Sequence, residues 1–329
     1  MRLQKSTYSI IIALTFVFCI NANAQMKPVY TQYMLNQYLL NPGVAGSQDH
    51  WDLRAGSRFQ WVGIEGSPKT IFASVQGPLG KRVLNKSTKK GDFELQTKDY
   101  KGDKFFHAIG GTLIADQTGP TSIISAYVSY TYNLLLTQDF RIGLGAAPGF
   151  QSFFINGADL EISNSRSIST IVPDLTIGVW LYTEHFYLGL SSHQVLEFKL
   201  PVYDVYSKGK DNNRLYRHYF INTGYNFIIN RHFHIVPSVV IRYVNPLPVD
   251  GDLNVKVFYN KDYWAGITYR PVSKSMALMV GLCFNKSFIV SYSYDYYNTY
   301  LNQASFGTHE LLVGYKFHAK DINSPSDFW

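Results

Sequence analysis

Few residues in this 329-residue chain have the types and spacing that chemistry requires. His232 and His234 stand two apart, which in a strand puts both imidazoles on one face, and two imidazoles are half of a zinc site. No third ligand accompanies them in the sequence, so no metal site is assigned. Asp295 and Glu310 are candidate acids, and a carboxylate inside a protein serves either as a proton donor or as an ion-pair partner. Hydrolytic chemistry needs a nucleophile beside a base. The sequence has no G-x-S-x-G, no C-x-x-C and no Walker pattern. No catalytic residue and no cofactor is assigned, and the chain is read as a non-enzyme.

The elements that must position these residues are strands. From Ser122 to Ala146 the sequence alternates with a period of two, the signature of the pleat. Ile124, Ala126, Val128, Tyr130, Tyr132 and Leu134 share one face, and the residues between them are mostly small or polar. After Thr137-Gln138-Asp139 the pattern resumes with Phe140, Ile142 and Leu144 against Arg141, Gly143 and Gly145. One such hairpin fits half a soluble sandwich as well as a strand between lipid and lumen. The unit repeats along the chain. Trp51–Trp61 alternates around Asp52, Arg54 and Arg58, and further strands are expected to His309–Phe317, about fourteen in all.

Connection lengths point the same way. Thr137–Asp139, Thr183–His185, Ile229–Arg231, Asn260–Asp262 and Asn285–Lys286 are tight, whereas Asn156–Val172, Glu197–Arg214 and Asn298–Gly307, on the opposite side, are long. Outer-membrane barrels have short turns on one side and long loops on the other. The expected fold is an all-β, antiparallel transmembrane barrel of about 14 strands over 49–318, with periplasmic N- and C-termini. Only 16% of residues are charged and 16% are aromatic, which suits a wall facing lipid. Trp51, Trp61, Tyr243 and Tyr263 lie near strand ends, where an interfacial aromatic girdle is expected.

The inward phase gathers Asp52, Arg54, Arg58, Arg141, Arg242, Lys256, Asp295, Glu310 and Lys316. Such charge must meet water or opposite charge. Gly143, Gly145, Gly178, Gly189, Gly224, Gly266, Gly281 and Gly314 share that phase, marking either bends in the wall or the close approach of another segment.

Before the barrel, residues 1–24 read as a cleaved export signal. Arg2 and Lys5 precede an apolar run, and Ala22-Asn23-Ala24 is a cleavage site. Cys283 is then left without an internal disulfide partner. Residues 25–48 mix large apolar side chains with amides and are either a tail or a segment packed in the barrel, a candidate plug. Residues 80–104 interrupt the short-turn side with eight basic and four acidic residues, among them Lys81, Arg82, Lys89 and Lys90. They form either a solvated loop or a periplasmic partner surface. Export makes nucleic acid an inappropriate target for the net charge of +7. Residues 319–329 are read as a periplasmic tail.

Two stretches resemble a known family. Tyr30-Thr31-Gln32-Tyr33-Met34-Leu35-Asn36, continuing through Asn41-Pro42-Gly43 to Gly46-Ser47, is similar to the N-terminal signature of the PorP/SprF family. Arg58-Phe59-Gln60-Trp61-Val62-Gly63-Ile64, Asp116-Gln117-Thr118-Gly119-Pro120 and the closing Gly314-Tyr315-Lys316-Phe317 fit as well. The resemblance implies an outer-membrane protein of type IX secretion and gliding motility. Its partners would be membrane lipid and either periplasmic secretion-ring components or a secreted surface adhesin. A pore or a transporter of hydrophobic compounds is the alternative.

Overall fold

A computed structural model describes residues 30–48, 50–80, 105–137, 140–157, 167–199, 214–299 and 301–317. The expected export signal, the core of the basic insert with Lys81, Arg82, Lys89 and Lys90, and the tail 319–329 lie outside the described residues.

Strands β1 (Trp51–Phe59), β2 (Lys69–Leu79), β3 (Phe105–Thr118), β4 (Thr121–Leu135) and β5 (Arg141–Ile155) run antiparallel in chain order. Strands β6 (Ile168–Tyr182), β7 (Phe186–His193) and β8 (His218–Tyr225) continue the series, and the short β9 (Phe227–Ile228) prolongs β8 along the same neighbour. Next come β10 (Phe233–Val244), β11 (Asp250–Tyr259), β12 (Tyr263–Arg270), β13 (Ser275–Phe284), β14 (Phe288–Tyr297) and β15 (Thr308–Phe317). β15 pairs with β1, from Trp51↔Phe317 to Phe59↔His309, which closes the ring at fourteen wall positions. Closure leaves the sheet without an edge.

Alternation sets the two faces. Val128 is 69% exposed while its neighbour Ser129 is 1% exposed, and the same contrast repeats around the wall. Ile71, Leu113, Ile171, Leu278 and Val280 also point outward and lie exposed. An apolar belt of that extent belongs against hydrocarbon rather than water. Trp51 covers Gly77 on the outer face, and Tyr243 stacks on Tyr219. Trp61 departs from the expected girdle. Its backbone takes a positive φ of 48°, and its ring turns over the barrel mouth against inward-facing Tyr297, with centroids 6.4 Å apart.

Two other expectations need correction. β6 begins at Ile168, inside the stretch read as loop. β7 pairs with β6 only from Ile177 onward, so Pro173 is tolerated in this overhang. The sorting of loops is also incomplete, since Gly119-Pro120 and residues 271–274 make tight turns on the long-loop side. At that mouth a single helical turn, α1 (Leu301–Ala304), lies in the β14–β15 connection.

Candidate functional site: a filled lumen

The segment 30–48 lies inside the ring of strands, and its side chains are buried. It carries no charged residue. Asn36 and the Asn41-Pro42-Gly43 break prevent a regular helix, and the chain folds as three short 3-10 turns, Tyr33–Leu35, Gln37–Leu39 and Pro42–Val44. Such turns leave carbonyls unsatisfied, and buried carbonyls need donors. The wall provides them. Lys256 Nζ donates to the Met34 carbonyl at 3.0 Å, and Arg54 donates to that of Leu35. Ser191 Oγ donates to Leu40 O at 2.6 Å, Thr131 Oγ1 to Pro42 O at 2.7 Å and Asn133 Nδ2 to Ala45 O at 3.1 Å.

The segment's own amides reach the wall in return. Asn36 Nδ2 donates to Ser74 Oγ at 2.9 Å, and Gln37 sits between Tyr187 and Asn222. Asn41 Nδ2 donates to Val179 O at 2.9 Å while its Oδ1 accepts from Gly43 N at 2.8 Å. Tyr33 accepts from Asn254. Apolar side chains fill the rest: Tyr30 meets Phe72 edge-on at 5.0 Å, and Met34, Leu39 and Val44 join the main core cluster.

Three of the eight inward glycines are explained by this segment. A Cβ at Gly143, Gly145 or Gly178 would overlap Gly43, Pro42 or Asn41. Within the segment, Gly46 has φ +75°, and a Cβ there would lie 2.5 Å from that of Ala108. Most of the other five meet large wall side chains, such as Trp180 over Gly189 and Trp264 over Gly281.

Charges in the lumen form a chain of ion pairs. Arg242 pairs with Asp250 at 2.9 Å and with Asp252; Arg270 bridges Asp252 at 3.3 Å and Asp295 at 2.8 Å. Arg58 then bridges Asp295 at 2.8 Å and Glu310 at 2.9 Å. Thr31 is set into this chain. Its hydroxyl accepts from Arg58 at 2.6 Å and Arg270 at 2.8 Å and donates to Asp295 at 2.8 Å. Glu310 accepts from the backbone N–H of Thr31 at 2.8 Å and of Gln32 at 3.0 Å. Buried charges are tolerable only when paired and hydrogen-bonded in this way.

Of the wall residues singled out from sequence, Arg54, Arg58, Arg242 and Glu310 thus sit in this cluster or against the segment. Arg54 also pairs with Asp52 at 2.9 Å, and Arg141 is buried at the start of β5. Sequence reasoning misses Asp252, Arg270 and the role of Thr31. The stretches expected as strands from the sequence, Leu253–Tyr259 and Tyr263–Tyr269, stop one residue short of Asp252 and Arg270, and keeping their phase for one more residue would place both inward. His232 and His234 do not share a site: His232 lies exposed in a turn beside Asn260, while His234 is buried near Asn226. Among the described residues no group of three or more His, Cys, Asp or Glu side chains is placed to hold a metal ion.

A closed antiparallel barrel with an apolar exterior and charges inside is an outer-membrane barrel, here with its N-terminal segment lodged in the lumen. Solved structures share this fold at low identity. CymD, a monoaromatic hydrocarbon channel, is 11% identical with a TM-score of 0.50, covering 88% of this chain and 94% of its own. A deltaS2S3 mutant of the TodX monoaromatic hydrocarbon channel is 8% identical with a TM-score of 0.50, covering 89% and 95%. No curated protein sequence matches. The family model for the type IX secretion system membrane protein PorP/SprF matches residues 22–315, and the chain belongs to that family.

Proposed function

We propose that this barrel is a non-enzymatic scaffold or anchor of the type IX secretion and gliding machinery. It associates with periplasmic secretion-ring components or holds a secreted surface adhesin at the outer membrane. The observation that carries this reading is the lumen segment. Thr31, Gln32, Asn36, Gln37 and Asn41 are each matched by wall partners, so 30–48 serves as a resident plug rather than a transient occupant. A plugged barrel contributes its outer rim and loops, not a passage. With periplasmic termini, the insert 80–104 would face the ring.

The test is an affinity pull-down from native outer membrane in mild detergent, with a tag after Trp329 and mass spectrometry of the co-purifying proteins. Recovery of ring components or of one large surface protein supports the scaffold. Recovery of the barrel alone, under conditions that keep a known secretion complex intact, overturns it in favour of a pore or hydrophobic-compound transporter.

A further inference from the structure

The segment does not fill the lumen evenly. Against β10 to β15 and β1 it is locked beside the ion pairs, but on the side of β3 to β8 it leaves a chamber, open at one end, with about 90 Å³ accessible to the centre of a water-sized molecule. Its floor is the segment itself, through Tyr30, Tyr38 and Leu40, and its walls include Tyr127, Phe153 and Phe220. Thr112, Ile114 and Asp116 point inward yet are only half-buried, so the chamber is reached from the mouth opposite the N-terminal segment's exit into β1.

We propose that this chamber binds a small uncharged aromatic molecule bearing a hydroxyl group. Aromatic and aliphatic side chains dominate the lining, which favours an apolar ring. Two polar atoms among them lack partners. Among the described residues, the enclosed Tyr30 hydroxyl and Gln194 Oε1 find no hydrogen-bond partner, and both residues are 6% exposed. A buried polar group left unpaired is costly, and a ligand hydroxyl that accepts from Tyr30 satisfies it, leaving the ligand's own proton for Gln194. Charge selects against anions. Among the described residues the lining contains no Lys or Arg, Asp116 faces the chamber, and Asp174 stands behind Tyr127 and Gln151, accepting from both at 2.6 and 3.2 Å. A carboxylate ligand would meet like charge without a counterion. The seated segment closes the floor, so the chamber is a dead-end receptor rather than a conduit, whatever partners the barrel has.

The test uses the full-length protein in lipid nanodiscs, with empty nanodiscs as reference and saturation-transfer NMR as readout. The probes are p-cresol, toluene and 4-methylbenzoate. Saturable binding of p-cresol is expected, with toluene weaker by about five- to tenfold for the missing hydrogen bond and 4-methylbenzoate no better than empty discs. Tyr30→Phe keeps the ring against Phe72 and should reduce p-cresol to the level of toluene. Ile114→Trp and Ala147→Phe should each fill the chamber and remove binding of both, folding being checked by heat-modifiable electrophoretic mobility. The proposal fails if p-cresol binds no better than to empty discs, if 4-methylbenzoate competes equally, or if Tyr30→Phe leaves the p-cresol to toluene ratio unchanged.

Discussion

Replacing Thr31 by Val removes one hydroxyl and almost no volume. That hydroxyl accepts from Arg58 and Arg270 at 2.6 and 2.8 Å and donates to Asp295. Hydrogen bonds to charged groups contribute about 1.5–3 kcal/mol each. Asp295 keeps both arginines in the variant, so only the two bonds accepted from the guanidinium groups are counted, each at the low end because both groups keep carboxylate partners, about 3 kcal/mol together. If the segment leaves its seat as one unit, its open population should rise about 150-fold. The assay is maleimide labelling of Ser47→Cys in a Cys283→Ala background, since Ser47 is 1% exposed when the segment is seated. Labelling should accelerate by about that factor with Thr31→Val and stay near the parent rate with Thr31→Ser, which keeps the hydroxyl. A change of less than twofold with Thr31→Val would refute the view that the ion-pair chain holds the segment.

The same geometry sets other expectations. Deleting 30–47 should raise single-channel conductance in planar bilayers, and an unchanged trace would count against the plug. Gly145→Val puts a side chain into Pro42 and Gly43, so the barrel should still form while Ser47→Cys loses its protection. Glu310→Gln breaks a buried pair with Arg58 and should cost about 3–5 kcal/mol, read as a lower guanidinium midpoint. Lipid-attached quenchers should quench Trp51 on the outer face but not Trp61, which turns over the mouth against Tyr297.

The wall is legible in the sequence because the pleat forces a period of two, and lipid on one side makes the contrast sharp. Val128 and Ser129 show it within two residues. Strand ends are not legible, because the pattern stops at a polar residue whether or not the ladder does. Asp252 and Arg270 fall outside the expected strands for that reason, although they carry the middle of the ion-pair chain. Asn156–Val172 reads as loop although β6 begins at Ile168, because the first part of that strand pairs with β5 alone and β7 joins only at Ile177, a fact of tertiary pairing. The sequence of 30–48 has neither helical nor strand periodicity. Its place is fixed by partners up to hundreds of residues away, which no local pattern encodes. The inward glycines hold a trace of it, and Gly143, Gly145 and Gly178 now have a physical cause.

The bonds from Thr31 to Glu310 span 279 residues, and those from Asn41 to Val179 span 138. A segment whose partners are spread around the ring has nothing to hold it until the last strand has joined the first. Long-range contacts of this kind form late, because loop closure must precede them. The residues that leave the ribosome before the wall are therefore the last to find their seat. A strand inserted one register out would turn Ser74, Thr131 or Glu310 away from the centre. Seating of Tyr30–Gln48 thus works as a proof of assembly, completed only when every stave stands in its proper place.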